Sequence, residues 1–113
     1  MDTEKPITWI GSSRDDLLKF PVSVKRSAGY QLHRLQHGLK PSDFKPFSQV
    51  GPGTYEVRIR DSSGIFRTIY VAKFDEAVYV LHAFQKKSQR TPKQDIEIAT
   101  DRYQAVLKHR KMR

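Results

Sequence analysis

The hydrophobic period changes halfway along this chain, and that change limits its fold more than any other feature. Val24, Ala28, Leu32, Leu35 and Leu39 recur at spacings of three and four, which is one face of an amphipathic helix. From Tyr55 the period drops to two. Tyr55, Val57 and Ile59 alternate with Glu56, Arg58 and Arg60, as in a strand with one buried face. Early helices followed by a run of strands point to an α+β fold.

Punctuation supplies the remaining elements. Residues 7–10 form a short β-prone run ended by Gly11. Ser12 and Ser13 precede Asp15 and Asp16, a spacing close to a capping box, and the two acids suit the positive end of a helix. Pro21 either ends this helix after Phe20 or opens a second one in its first turn. That second helix is predicted over residues 22–39, with Gly38 as its stop. Residues 40–53 hold Pro41, Pro46, Gly51, Pro52 and Gly53 and read as a loop, long enough to suggest a task of its own. Asp61-Ser62-Ser63-Gly64 is a hairpin turn by composition, followed by strands over 65–74 and 77–84 with Asp75-Glu76 between them. Residues 85–93 are polar and basic, and 94–109 carry Ile96, Ala99, Tyr103, Val106 and Leu107 on one helical face. The predicted order is β-α-α-β-β-β-α. It makes one domain over residues 1–113, with helices on one side of a small, mainly antiparallel sheet.

Charge narrows the function. The chain has 113 residues, with 21 Lys and Arg against 12 Asp and Glu, so a polyanion is the expected partner. Residues 86–113 hold nine of the cations and only three acids, which concentrates the excess after the last strand. Cysteine is absent, which excludes disulfides, thiolate metal sites and Cys nucleophiles. No apolar stretch approaches a membrane span, and residues 1–6 lack the apolar core of a signal peptide, so a cytoplasmic protein without a membrane partner is expected.

Ser62 and Ser63 as a two-residue turn place Ile59 opposite Phe66, and Arg58 beside Arg67 across the ladder. Two facing cations need a counter-charge: Glu56, the helices or a bound phosphate. Spacing does not choose among them. His82 is the one histidine in a predicted strand, where packing is the ordinary role. His33 and His37 are four apart on one helix; with no third ligand in view they read as a solvated face, and no metal is expected. No Gly-rich phosphate loop, Ser nucleophile elbow or paired-carboxylate motif is present.

Four stretches carry a resemblance. They are Trp9-Ile10-Gly11-Ser12-Ser13 with Asp16-Leu17 and Phe20-Pro21; Gly53-Thr54-Tyr55-Glu56-Val57-Arg58; Phe66-Arg67-Thr68-Ile69-Tyr70; and Val80-Leu81-His82-Ala83-Phe84-Gln85-Lys86-Lys87 followed by Thr91-Pro92. In this order they resemble the phage-derived HigB-like branch of the RelE/ParE toxin superfamily, the toxin halves of type II toxin–antitoxin pairs. The resemblance implies the same β-α-α-β-β-β-α sandwich. It also implies a ribosome-dependent endoribonuclease that cuts mRNA in the A site by 2′-hydroxyl attack on the adjacent phosphate, without metal or cofactor. The implied partners are mRNA on the ribosome and a helix-turn-helix antitoxin from the same operon.

Carried over by position, Arg58, Arg67 and Lys87 match the family's basic residues and form a phosphate clamp on the sheet's polar face, where truncation would spare the fold. Glu56 stands where some relatives carry a lysine, and no Tyr follows the last strand. Glu56, Lys86 and His82 are therefore the candidates for base and acid. Arg60, Lys45, Arg90, Lys108, Arg110 and Lys111 are the candidate RNA-binding cations. Two other classes remain open: a gyrase-poisoning toxin of the superfamily, and a non-catalytic nucleic-acid-binding phage protein.

Overall fold

The computed structural model describes residues 4–112, so residues 1–3 of the N-terminal reading and Arg113 of the basic tail lie outside it. The elements are β1 (Ile7–Trp9), α1 (Ser13–Leu18), α2 (Val22–Gln36), β2 (Phe44–Pro46), β3 (Thr54–Asp61), β4 (Gly64–Val71), β5 (Val78–Lys86) and α3 (Lys93–Lys111). β3 and β4 pair antiparallel with Asp61 opposite Gly64, so Ser62 and Ser63 form the turn and Ile59 faces Phe66 as spacing predicts. Asp61 locks that turn. Its carboxylate accepts hydrogen bonds from the Ser63 N–H at 3.0 Å and the Ser63 hydroxyl at 2.5 Å, which hold its carboxyl below the ordinary carboxylate range.

Residues 40–53 are not all loop. Phe44–Pro46 adds to the outer edge of β3, with Lys45 opposite Glu56. The Arg58 N–H donates to the Asp43 carbonyl at 2.9 Å and the Phe47 N–H to the Thr54 carbonyl at 2.8 Å, so the edge of β3 is satisfied. Pro46 is tolerated because β2 is the outermost strand. After β2 the segment packs beneath α3. Phe47 and Val50 are buried there, and Gly51 lies so close that a Cβ on it would sit 2.4 Å from the Tyr103 ring.

β5 runs to Lys86, past the expected end at Phe84, whereas β4 stops at Val71, short of Phe74. β1 pairs with β5 in parallel, giving a mixed sheet in the order β1-β5-β4-β3-β2. Tyr70 faces Val80 while Ile69 faces His82, so Leu81 is the extra residue of a bulge.

The helices cover both faces of this sheet, which corrects the one-sided expectation. α1 and α2 bury Leu17, Val24, Ala28, Leu32 and Leu35 against Val57, Ile59, Phe66, Tyr70, Val78 and Val80. α3 buries Ala99, Tyr103 and Val106 on the other face, against Ile69, Val71, Tyr79 and Leu81. Alternation decides this: β4 and β5 carry apolar side chains on both faces, as central strands must when each face is covered.

Helix ends also differ from expectation. Pro21 is the residue before α2, with φ −52° and ψ 151°, and is not in its first turn. Ser12 does not cap α1 with its side chain; its hydroxyl donates to the Asp16 carboxylate at 2.7 Å.

Candidate nucleic-acid interface

The alternation of β3 sends Glu56, Arg58 and Arg60 to the sheet face that α3 covers, opposite Val57 and Ile59. Register then assembles a cluster. Arg67 stands opposite Arg58, Lys45 opposite Glu56, and Lys86 opposite Ile65. α3 buries the middle and far end of this face from Ala99 onward and leaves this end open. The opening is a cleft of about 560 Å³ lined by Lys45, Arg58, Arg67, Lys86 and Lys87, with Ile65, Ser88 and Gln89. It continues through Lys45, Lys86, Ser88 and Gln89 into a depression of about 960 Å³ that reaches Arg90 and Lys93. The two form one cationic groove along the sheet end.

Both cations of the Arg58–Arg67 pair have counter-charges inside the protein. Glu56 is 0% exposed and Arg67 only 5%; the Arg67 Nη1 donates to Glu56 Oε1 in a buried ion pair. Lys45 reaches the same oxygen at 3.2 Å from the solvent side. Asp43 meets Arg58, with its Oδ1 at 2.9 Å from Nε and 2.7 Å from Nη2. Arg60 lies 4.0 Å from the other Asp43 oxygen. Asp43 escapes sequence reasoning because only the pairing of β2 with β3 brings it there.

The clamp residues differ in access. Lys87 is exposed and Arg58 half-buried, but Arg67 is part of the floor, so the expectation that all three lie on an open polar face fails for Arg67. Glu56 is likewise a buried anchor: a lone carboxylate there would be costly, and Arg67 offsets that cost. Lys86 is half-buried at the end of β5. Its ammonium is held below the ordinary lysine range by burial and then by the neighbouring charges of Arg67 and Lys45.

Other expected site residues stand elsewhere. His82 is buried, its Nε2 is 2.6 Å from the Asp95 carboxylate at the start of α3, and it lines a separate depression with Gln94 and Phe20. It stacks on Phe84, ring centroids 5.1 Å apart. Arg90 joins the groove. Lys108, Arg110 and Lys111 sit in the last turn of α3, about 22–27 Å along the helix from Lys93. Arg110 is tied into the fold: its Nε donates to Glu76 at 2.6 Å and its guanidinium lies 3.8 Å over the Phe74 ring. The Arg110 guanidinium, with the Tyr79 hydroxyl, lowers the Glu76 carboxyl to about 2.

A mixed five-stranded sheet between two N-terminal helices and a C-terminal helix, with cations gathered at its uncovered end, defines an α+β protein of RelE-like fold with a cationic groove. The chain belongs to the Phage derived protein Gp49-like family (DUF891), whose model matches residues 15–104. That match spans strands β2 to β5, the groove and most of α3. No curated protein matches the chain. Among the described residues, no helix is long and apolar enough to cross a membrane.

Proposed function

We propose that this protein is the toxin of a type II toxin–antitoxin pair and cleaves mRNA in the ribosomal A site, as the HigB-like resemblance implies. The observation that carries the proposal is the groove in which Lys45, Arg58, Lys86 and Lys87 surround a floor fixed by the Glu56–Arg67 pair. Fixed cations suit phosphodiester cleavage, because the transition state gathers negative charge that preorganised donors meet without reorganisation. The 2′-oxygen attacks phosphorus and the 5′-oxygen leaves, giving a cyclic phosphate and a 5′-hydroxyl. One proton must leave the 2′-oxygen and one must reach the 5′-oxygen. Lys86 is the titratable candidate nearest that work: it borders both parts of the groove, and its neighbours favour loss of its proton. Glu56 is buried under the floor and His82 is held by Asp95 in another depression, so neither is preferred. The cationic groove also suits an acidic surface of a helix-turn-helix antitoxin, with fast, salt-sensitive association.

The test is induction of the gene followed by mapping of cellular RNA ends and of DNA integrity. Cuts within translated codons, lost in Lys86→Met and Lys87→Ala variants that still fold, support the reading. DNA breaks without RNA cuts, or no damage of either kind, overturn it. Co-expression with the neighbouring gene tests the partner: rescue with a stable complex supports the pair, and failure of both removes it.

A further inference from the structure

On the sheet face opposite the groove, the end of α2 and the segment entering β1 bring three metal-ligating side chains together. His33 lies in the last turn of α2 and His37 is the residue that ends the helix, with ring centroids 4.5 Å apart. Glu4 joins them from the N-terminal segment, and one donor atom from each lies within 4.8 Å of the other two. Sequence spacing hides this third donor, because Glu4 is remote from the histidines along the chain.

Hydrogen bonds to Gln36 hold the juxtaposition. The Lys5 N–H donates to the Gln36 carbonyl at 3.0 Å, and the Gln36 amide donates back to the Lys5 carbonyl at 2.8 Å. The Lys5 ammonium reaches away, to the Ala72 carbonyl at 2.6 Å, and so puts its charge elsewhere. The residue after Glu4 is thereby clamped to the residue before His37. Among the described residues, no hydrogen bond or ion pair occupies the Glu4 carboxylate or either imidazole.

We propose that Glu4, His33 and His37 form a binding site for a divalent transition-metal ion of the zinc class, with water in the fourth position. Two imidazole nitrogens and one carboxylate oxygen suit Zn²⁺, Cu²⁺ and Ni²⁺, whereas Mg²⁺ and Ca²⁺ take oxygen ligands. Tetrahedral zinc with bonds of about 2.0–2.1 Å sets its donors about 3.4 Å apart. Closing from within 4.8 Å to that separation takes on the order of 1 Å, within reach of side-chain rotation at two exposed residues and one half-buried one. The bound ion ties the entry of β1, a three-residue edge strand, to the last turns of α2. It is a structural cross-link, and it stands independently of the reading of the groove.

The test uses the full chain, stripped of metal by chelator and titrated with Co²⁺ and then Zn²⁺. The expected result is one ion per chain, tetrahedral cobalt absorption displaced by zinc, and a melting temperature that rises with zinc concentration. His33→Ala and His37→Ala should each weaken zinc binding by at least the roughly 10–100-fold seen on losing an outer-sphere partner, with circular dichroism unchanged. Glu4→Gln should weaken it by about 10-fold. Absence of binding, or binding retained in both histidine variants, overturns the site. Wild-type affinity in Glu4→Gln overturns the three-ligand assignment.

Discussion

Arg67→Met tests the structural work of the groove's floor. The substitution keeps most of the side chain's apolar bulk and removes the guanidinium. Glu56, 0% exposed, is then left with Lys45 at 3.2 Å, whose own side chain is 45% exposed. Removing one partner of a buried ion pair costs about 3–5 kcal/mol, and the remaining lysine puts the expected loss at about 3 kcal/mol. For a domain of this size that lowers the melting temperature by about 12 °C, at about 4 °C per kcal/mol. Urea and thermal unfolding followed by circular dichroism at neutral pH measure it. The Glu56→Gln, Arg67→Met double variant should recover much of the loss, because no unpaired charge remains buried, with a coupling energy of about 1–3 kcal/mol. A loss under about 1 kcal/mol for Arg67→Met, or a double variant no more stable than the single one, would refute the argument. A loss of the proposed toxicity in Arg67 variants would therefore be mixed with folding. Lys87, exposed, carries the cleaner test of the groove's chemistry.

Three other outcomes follow from the geometry. The Glu76 carboxyl is lowered from 4.5 to about 2 chiefly by Arg110, so its pairing stabilises the fold above pH 4.5 and that contribution is lost as pH falls toward 2; Glu76→Gln should flatten this part of an acid-unfolding curve. Gly51→Ala should cost about 1–3 kcal/mol in urea unfolding, because the new Cβ meets the buried Tyr103 ring, whose hydroxyl is held by the Pro52 carbonyl at 2.8 Å. RNA affinity should fall steeply with salt in filter binding. Replacing Lys86 or Lys87 should reduce the log–log slope by about 1, and replacing Lys108 or Lys111, remote from the groove, should leave it nearly unchanged.

Local pattern carries most of the architecture here. The period-two run at Tyr55, Val57 and Ile59 and the Asp61-Ser62-Ser63-Gly64 turn determine a hairpin register, because side-chain alternation and a two-residue turn leave one pairing. The face-to-face meeting of Arg58 and Arg67 follows from that register alone. The spacing of Val24, Ala28, Leu32 and Leu35 likewise determines a helix and its buried stripe. What these patterns lack is the identity of whatever lies across a gap in the chain. β2 is hidden among prolines and glycines because three residues on an edge are held by the neighbouring strand and not by their own propensity. Asp43 is unreadable as a counter-ion until β2 brings it to Arg58, and Glu4 is unreadable beside His33 and His37 until Lys5 and Gln36 clamp the chain. Burial divides the cations in the same way. Arg67 and Lys87 are alike as letters in a basic sequence, but one becomes the floor over Glu56 and the other a solvated donor, because the cost of burying a charge depends on every group packed around it.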